Sequence, residues 1–144
     1  MDNRKAWHDY EILETIEAGL VLTGTEIKSL RAGKGNLRDS YARVERREVF
    51  VQNFHITAYA QGNRSNVDPL RPRKALLHRS EILRLVAKTR EKGLSLIPLK
   101  VYITHGIAKI ELGLGRGKRE YDKRVAIADR ETARERERAL KTEH

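Results

Sequence analysis

The clearest structural pattern in the chain is the segment LIPLKVYITHGIAKIELGL, residues 96–114. Its two halves, 96–104 and 107–114, are rich in β-branched and aliphatic residues, which favour strands. Between them lie His105 and Gly106, and glycine as the second of two loop residues is typical of a tight hairpin. The segment therefore predicts two antiparallel strands.

Working outward from this hairpin, other apolar runs predict about four more strands. Gly19 interrupts one long run and predicts a bend or bulge between two strand halves. Clustered Gly, Asn, Asp and Pro predict a loop over 60–73. The predicted strands are 10–15, 19–22 and one on each side of the polar turn 46–48.

Two short helices are also expected. Thr23-Gly-Thr-Glu26 has the spacing of a capping box, and predicts a helix at 24–32 with Ile27 and Leu30 on its buried face. Ser80 is expected to cap a helix at 81–92. The predicted buried stripe of that second helix is Ile82, Leu83, Leu85 and Val86.

Together these elements predict a mainly β protein whose antiparallel sheet closes into a small barrel, because closure removes exposed strand edges. The chain has 144 residues, no cysteine and a formal net charge of +10. Composition shifts near Gly115, since 116–144 contains 10 basic and 7 acidic side chains but few apolar ones. We therefore expect an RNA-binding barrel domain at 1–115 and a flexible basic tail at 116–144.

Several classes of protein are disfavoured. The absence of cysteine excludes a disulfide scaffold, a zinc ribbon and a thiol enzyme. No apolar run approaches the roughly 20 residues of a membrane helix, and the first residues do not resemble a signal peptide. We accordingly expect a cytoplasmic protein.

No catalytic or metal-binding pattern emerges. The five histidines lack metal-ligand spacing, and no G-x-S-x-G motif is present. Gly113-Leu-Gly115-Arg-Gly117 fits neither a dinucleotide fingerprint nor a P-loop, and is interpreted as a flexible exit from the last strand. The prediction is a protein that is not an enzyme and needs no metal and no cofactor.

The basic clusters favour a polyanionic partner. Arg4 and Lys5 are followed by the rings of Trp7, His8 and Tyr10, a mixture typical of surfaces that bind unpaired RNA bases. Taken singly, each basic residue is better explained as ordinary solvated surface, and Trp7 and Tyr10 as core, whereas the whole set with the net charge of +10 favours nucleic-acid binding. A further basic cluster consists of Lys28, Arg31, Lys34 and Arg38. Within it, Gly33 and Gly35 are expected to leave backbone amides open to a phosphate.

Four ordered blocks carry a resemblance to a known family. They are Asn3-Arg-Lys-Ala-Trp-His-Asp-Tyr10 running into Glu17-Ala-Gly19, Leu22-Thr-Gly-Thr-Glu26-Ile-Lys28-Ser-Leu-Arg31-Ala-Gly33-Lys34, Asp68-Pro-Leu-Arg71-Pro-Arg73-Lys74-Ala-Leu-Leu-His78, and Gly117-Lys118-Arg119-Glu-Tyr-Asp122-Lys123-Arg124. Over nearly the whole chain the sequence resembles the SsrA-binding protein (small protein B) family. Trp7 departs from the pattern, standing where a basic residue is expected.

The resemblance implies an oligonucleotide-binding-type barrel with two or three short helices and a basic C-terminal tail. It implies binding to the tRNA-like domain of transfer-messenger RNA, support of alanylation by alanyl-tRNA synthetase, and delivery with elongation factor Tu to stalled ribosomes. Trans-translation then frees the ribosome and tags the incomplete protein. The tail is expected to become helical in the empty mRNA channel near the decoding centre.

Site residues follow from the same resemblance. Glu17 is unusual on an RNA face, and is expected to accept hydrogen bonds from a base or a 2′-hydroxyl, or to orient a neighbouring arginine. The first block is expected to lie on the first strand. The expected RNA-binding residues are Asn3, Arg4, Lys5, His8, Tyr10, Glu17, Lys28, Arg31, Lys34 and Asn36.

The tail residues are expected to bind small-subunit ribosomal RNA. Arg71, Arg73 and Lys74 in the third block either face the ribosome or only brace a loop. The expected ribosome-binding residues are Gly117, Lys118, Arg119, Tyr121, Asp122, Lys123, Arg124, Arg130 and Arg134.

Two other classes of function are considered. A ribosomal protein would share the charge and the tail, but would not explain the four ordered blocks. A nuclease would need a carboxylate cluster that holds a metal, and the sequence offers no defensible one.

Overall fold

The computed structural model describes residues 1–59, 67–91 and 93–118. Within these ranges the chain forms three helices and eight strands. In chain order they are α1 Arg4–Asp9, β1 Tyr10–Leu20, α2 Gly24–Arg31, β2 Gly35–Asn36, β3 Tyr41–Glu45, β4 Glu48–Gln52, β5 His55–Ile56, β6 Arg73–Leu76, α3 Arg79–Glu91, β7 Ser95–Thr104 and β8 Ile107–Gly117.

Six of the strands close into an antiparallel barrel in the order β1-β6-β4-β3-β7-β8. The two remaining strands, β2 and β5, pair with each other outside it. The barrel closes between β3 and β7, which are paired at Ala42 and Leu96. Its interior is apolar, with Val49, Ile110 and Leu112 fully buried. The predicted fold class, a mainly β protein with a small closed barrel, is confirmed.

Both predicted tight turns are present, and their backbone explains the residues found there. His105 and Gly106 both have positive φ, at 50° and 76°, as a two-residue hairpin turn with the right-handed twist of its strands requires. Arg46 and Arg47 adopt the same conformation between β3 and β4. The hairpin of β7 and β8, together with β1, which pairs with β8, therefore contains the three longest strands of the barrel.

The capping box of α2 is also confirmed. The Thr23 hydroxyl accepts from the Glu26 amide, and the Glu26 carboxylate accepts from the Thr23 amide. The buried face differs from the expectation, because the buried residues of α2 are Glu26 and Ser29, whereas Ile27 and Leu30 are only half-buried.

The expectation that the first block lies on the first strand holds for Tyr10 and Glu17, which are on β1, but is wrong for residues 3–9. Asn3 caps α1 instead, and the chain turns into β1 at Tyr10. Asn3 also holds the segment before it against β7, because its backbone N–H donates to the Leu99 carbonyl. The strand break at Gly19 is likewise wrong, since β1 continues from Tyr10 to Leu20. The irregularity in β1 lies at Ile12–Glu14, where its pairing with β8 shifts register.

The end of the barrel extends further than expected. β8 continues to Gly117, whose partner is Tyr10. Gly113 and Gly115 are not a flexible exit, because both are buried within β8. A Cβ at Gly115 would lie 2.6 Å from the Glu11 carbonyl oxygen, and one at Gly113 would lie 2.7 Å from Leu99. These glycines allow the close approach of neighbouring strands.

Two smaller expectations also fail. The predicted loop 60–73 ends one residue early, because Arg73 begins β6; residues 60–66 lie outside the described ranges. Helix α3 begins at Arg79, so Ser80 lies inside its first turn, and Leu83 is 55% exposed rather than buried. No helix in the described parts of the chain is long and apolar enough to cross a membrane.

Candidate nucleic-acid interface

A shallow depression between α1 and the 36–38 segment gathers several of the expected RNA-binding residues. We call it the basic depression; its lining is Asp2, Asn3, Arg4, Lys5, His8, Asp9, Asn36 and Arg38. Arg4, His8 and Arg38 are exposed, and Lys5 forms an ion pair with Asp39. Because α1 is a single short helix, its cations point into one region of the surface.

Asn3 lies at the floor of this depression but is 4% exposed. Its side-chain amide donates to the carbonyls of Leu37 at 3.2 Å and Pro98 at 2.8 Å. Its side-chain oxygen accepts from the Ala6 amide at 3.2 Å. Asn3 therefore anchors α1 to the barrel, and the expectation that it is presented to RNA is corrected.

Tyr10 is half-buried and packs with the small apolar cluster of Ala6, Ile97 and Leu99. The side chain of His8, by contrast, is 89% exposed, with its Nδ1 3.1 Å from the Asp9 carboxylate. Trp7 is 49% exposed on the same helix. On α1 itself, the exposed rings of His8 and Trp7 are available to an unpaired base.

Helix α2 and the turn after it present a second set of cations. Lys28, Arg31 and Lys34 are all exposed. The Lys28 ammonium lies 5.7 Å from the centre of the Tyr59 ring, and the Arg31 guanidinium lies beside the β7–β8 turn at Gly106. Arg31 therefore lies at the end of the barrel where that turn lies.

Gly35 lies against the side chains of Met1 and Leu30. A Cβ at Gly35 would lie 2.8 Å from Met1 Cε and 2.9 Å from Leu30 Cδ2. Gly35 is thus needed for packing, and it does not leave room for a phosphate as expected. Gly33 has open space around it, since a Cβ there would meet nothing within 4 Å, and its φ of 72° favours glycine. Its backbone amide donates to the Leu30 carbonyl at 3.0 Å, so that amide is not left open to a phosphate as expected.

Glu17 lies apart from both sets, on the outer surface of β1. Its carboxylate accepts a hydrogen bond from the Tyr102 hydroxyl on β7 and another, at 3.0 Å, from Lys109 Nζ on β8. These hydrogen bonds lower the pKa of Glu17 below its usual value, and the bond from Tyr102 has the larger effect. Sequence reasoning missed Tyr102 and Lys109 because they are 85 and 92 positions away.

A buried ion cluster of Glu26, Arg71 and Arg73 braces α2 against β6. Arg73 has no exposed surface; its guanidinium pairs with Glu26 at 2.7 Å and donates to the carbonyls of Phe54 and Pro69. Arg71 also pairs with Glu26. Arg73 therefore braces α2 against β6, whereas Arg71 and Lys74 keep part of their side chains exposed. Lys74 is half-buried and pairs with Glu48 at 2.9 Å.

Burial within this cluster raises the pKa of Glu26. The hydrogen bonds from Arg71, the Thr23 amide and Arg73 outweigh that effect, so the pKa of Glu26 lies below its usual value. The carboxylate is therefore ionised at neutral pH, as its two arginine partners require.

Only the first two of the expected ribosome-binding tail residues fall in the described ranges. Gly117 ends β8, and Lys118 donates from Nζ to the Trp7 carbonyl at 3.3 Å. Lys118, the last described residue, therefore lies beside α1. The other expected tail residues, Arg119, Tyr121, Asp122, Lys123, Arg124, Arg130 and Arg134, lie outside the described residues, as does the expected tail helix.

A closed six-strand barrel with exposed cations on α1, α2 and the segment after α2 defines a small basic protein of the oligonucleotide-binding-barrel class. The model of one family, described as SmpB protein, matches residues 1–142. The chain belongs to the SmpB family.

Individual relatives agree with this assignment. A protein of Carboxydothermus hydrogenoformans named SsrA-binding protein is 58% identical over 143 residues, covering 99% of this chain and 96% of its own. A protein of Desulforudis audaxviator with the same name is 62% identical, covering 96% and 91%. The match is therefore essentially full-length in both directions.

One solved structure extends the comparison to three dimensions. It is described as "tmRNA-SmpB: a journey to the center of the bacterial ribosome". The matching chain has a TM-score of 0.69 and 55% identity, and the match covers 82% of this chain and 83% of that chain. The barrel described above is thus shared with a chain of that complex.

Proposed function

We propose that this protein binds the tRNA-like domain of transfer-messenger RNA and takes it to stalled ribosomes for trans-translation. The observation that carries the proposal is the full-length membership of the SmpB family, whose relatives are named for binding SsrA. The solved tmRNA–SmpB structure with a similar chain supports the same partner. In this role the protein acts by binding in the cytoplasm and not by catalysis.

The exposed cations suit this role. Arg4, Lys5 and Arg38 in the basic depression, with Lys28 and Arg31 on α2, are placed to hold phosphates, which position an RNA without reading its sequence. The rings of His8 and Trp7 lie among them, and unpaired loop bases stack on such rings. Lys34 and Asn36 extend this surface between the two helices. Binding is therefore expected to weaken as salt is raised.

The finer steps are part of the same proposal. The bound complex supports alanylation of the RNA by alanyl-tRNA synthetase and travels with elongation factor Tu. The tail from Gly117 onward enters the empty mRNA channel near the decoding centre, where it becomes helical. The barrel completes its strand pairing by Gly117, which supports separate roles for the barrel and the tail.

The test is a titration of the full chain against the tRNA-like domain, with ordinary tRNA of similar length as competitor at physiological salt. A truncation after Lys118 serves as the matched variant, because it retains every strand pair of β8. We expect strong preference for the tRNA-like domain in both proteins. Equal binding to both RNAs would instead favour a general basic RNA binder such as a ribosomal protein.

The tail is tested with the same truncation in a tagging reaction on ribosomes stalled at the end of an mRNA. The truncated protein should bind the RNA nearly as well as the full chain but fail to support tagging. Tagging at the normal level by the truncated protein would contradict the proposed role of the tail.

A further inference from the structure

A groove lies between α3 and the β3–β4 hairpin, and none of the cations proposed to hold RNA lines it. It has a volume of about 790 Å³, and its apolar lining includes Val44 of β3 with Ile82, Leu83 and Val86 of α3. Ile82 and Val86 are half-buried, and Leu83 is 55% exposed. The apolar stripe that the sequence predicts for α3 is therefore only partly covered by the barrel. We call this space the α3 groove.

The sheet has an unpaired strand edge at this groove. β3 pairs with β4 from Tyr41 to Glu45, whereas it pairs with β7 only at Ala42 and Leu96. In an antiparallel sheet the backbone N–H and C=O of alternate residues point to the same neighbouring strand. Those of Val44 therefore point to the same side as those of Ala42, and no strand in the described parts of the chain pairs with Val44 there. Val44 thus offers one donor and one acceptor to an added strand.

The charged side chains around the α3 groove are all arginines. Arg43, Arg46 and Arg47 line it from the hairpin and Arg90 from α3, and no described aspartate or glutamate lines it. Arg43 pairs with Glu45 at 3.0 Å, but the other three are exposed and pair with no carboxylate in the ranges that the structure describes. Arg46 and Arg47 also have positive φ, where Asn and Gly are the usual residues of such a turn. The charge of the groove therefore favours an acidic ligand.

We propose that the α3 groove binds an extended peptide segment of a partner protein, in which acidic side chains alternate with aliphatic ones. Such binding is separate from the RNA binding proposed above and does not depend on it. The peptide pairs with Val44 by strand addition, because a peptide backbone supplies both a donor and an acceptor, whereas a phosphodiester backbone supplies acceptors only. Its aliphatic side chains face the apolar lining of α3, and its acidic ones, on the opposite face of the added strand, face the arginines.

The probe is a synthetic peptide of four Val-Glu repeats with blocked ends, titrated into the isotope-labelled full chain and followed by NMR. The amide signal of Val44 should shift, together with signals of Ile82 and Val86. A peptide of four Val-Lys repeats should bind at least about tenfold more weakly, because its charges repel the arginines. No shift of Val44 with the Val-Glu peptide at about 1 mM, or equal binding of the two peptides, would overturn the proposal.

Variants of the protein locate the binding. Leu83→Asp places a carboxylate in the apolar lining and should weaken binding of the Val-Glu peptide at least about tenfold. Arg46→Ala removes one exposed cation and should weaken it roughly 1.5- to 5-fold, without lowering the free energy of unfolding appreciably. The matched controls are Leu76→Asp, at a leucine that is 53% exposed on β6, and Arg4→Ala in the basic depression. Both controls should bind the peptide normally, and equal losses in them would overturn the proposed site.

Strand addition is tested by changing the backbone of the probe. Two further Val-Glu peptides are N-methylated, one on the valine amides and the other on the glutamate amides. Since alternate amides of a strand point to opposite sides, only one set faces β3. One methylated peptide should therefore bind roughly 2- to 12-fold more weakly than the other, the range for the loss of one hydrogen bond. Equal affinities of the two methylated peptides would overturn pairing with Val44.

Other occupants of the α3 groove give different results. A single-stranded RNA of about ten nucleotides that shifts Val44 and is weakened by Leu83→Asp as much as the peptide would identify RNA as the occupant and overturn the proposal. A dimer of the full chain that Leu83→Asp dissociates would identify a second copy of the chain, with the same consequence. Arg46→Ala should bind the tRNA-like domain normally and the peptide weakly, and Arg4→Ala should do the reverse. Loss of both ligands in Arg46→Ala would contradict two separate surfaces.

Discussion

In the basic depression the arginines are exposed and turned to solvent, whereas in the buried ion cluster Arg73 has no exposed surface and pairs with Glu26. Both regions join chain segments that are distant in sequence, and both contain an ion pair, Lys5 with Asp39 at the basic depression and Arg73 with Glu26 in the cluster. In water such a pair contributes little, but within the protein an unpaired charge is costly. Arginine is therefore exposed in one region, where we propose that it binds RNA, and stabilises the fold in the other.

The largest expected effect breaks the buried ion cluster. Glu26→Ala removes the partner of two arginines and one half of the α2 capping box. Leaving Arg73 buried without its counter-charge should cost about 3–5 kcal/mol of unfolding free energy. Denaturant unfolding of the full chain measures it.

The matched control for that experiment is Glu48→Ala, which removes a carboxylate paired with Lys74 at 2.9 Å on the surface. This variant should lose less than about 1 kcal/mol. Equal losses in the two variants would contradict the contrast between buried and exposed pairs.

The second prediction concerns the pH dependence of the same cluster. The pKa of Glu26 is lower in the folded protein than its ordinary 4.5, so its contribution to stability is complete above that value. The contribution is lost as the pH falls through the lower, folded-state pKa. Unfolding free energies of the unmodified chain and of Glu26→Gln should therefore converge on acidification. A difference that stays constant between about pH 6 and pH 3 would contradict this.

A third, smaller effect comes from the basic depression. Arg4→Ala and Arg38→Ala each remove one exposed cation, and each should lower the slope of log affinity against log salt by about one. Unfolding free energy should change by no more than about 0.5 kcal/mol. Affinities for the tRNA-like domain at several salt concentrations measure the slope.

Arg46→Ala is the control for these two variants, because Arg46 is exposed in the β3–β4 turn, outside the basic depression. Its salt slope should equal that of the unmodified chain. If Arg46→Ala lowers the slope as much as Arg4→Ala, binding depends on net charge and not on the depression.

The parts of this molecule that could be predicted from sequence are those fixed by neighbouring residues. The capping box of α2 needs only Thr23 and Glu26, three positions apart, and the last hairpin needs only His105 and Gly106 between two apolar runs. The expected cations of α1 and α2 do lie on the surface. In each case one short stretch of chain contains the whole physical cause.

The parts that could not be predicted depend on distant partners. Asn3 matches the family pattern, but its buried position depends on carbonyls of Leu37 and Pro98, 34 and 95 positions away. The sequence predicts that Glu26 lies in the first turn of a helix, but its burial depends on the ion pair with Arg73. Charged residues are rarely fully buried, so no single-sequence pattern indicates such a pair.

The smallest predicted effect compares the two carboxylates directly, Glu17 on the surface and Glu26 in the cluster. The hydrogen bond to Glu17 raises the pKa of the Tyr102 hydroxyl above 10.0, since losing the proton would break that bond and place two negative charges together. Glu17→Ala should return the Tyr102 pKa towards its ordinary value. Alkaline absorbance titration, with Tyr102→Phe subtracted to isolate this ring, measures the change.

Glu48→Ala should leave the Tyr102 titration unchanged, because the Glu48 carboxylate is bound by Lys74 and not by this ring. Glu26→Gln should do the same, although it should lower stability far more than Glu17→Ala does. The two carboxylates would then be separated by one pair of measurements. An exposed carboxylate acts on the ionisation and orientation of its neighbour, whereas a buried one acts on the stability of the fold. An unchanged Tyr102 titration in Glu17→Ala would remove that distinction.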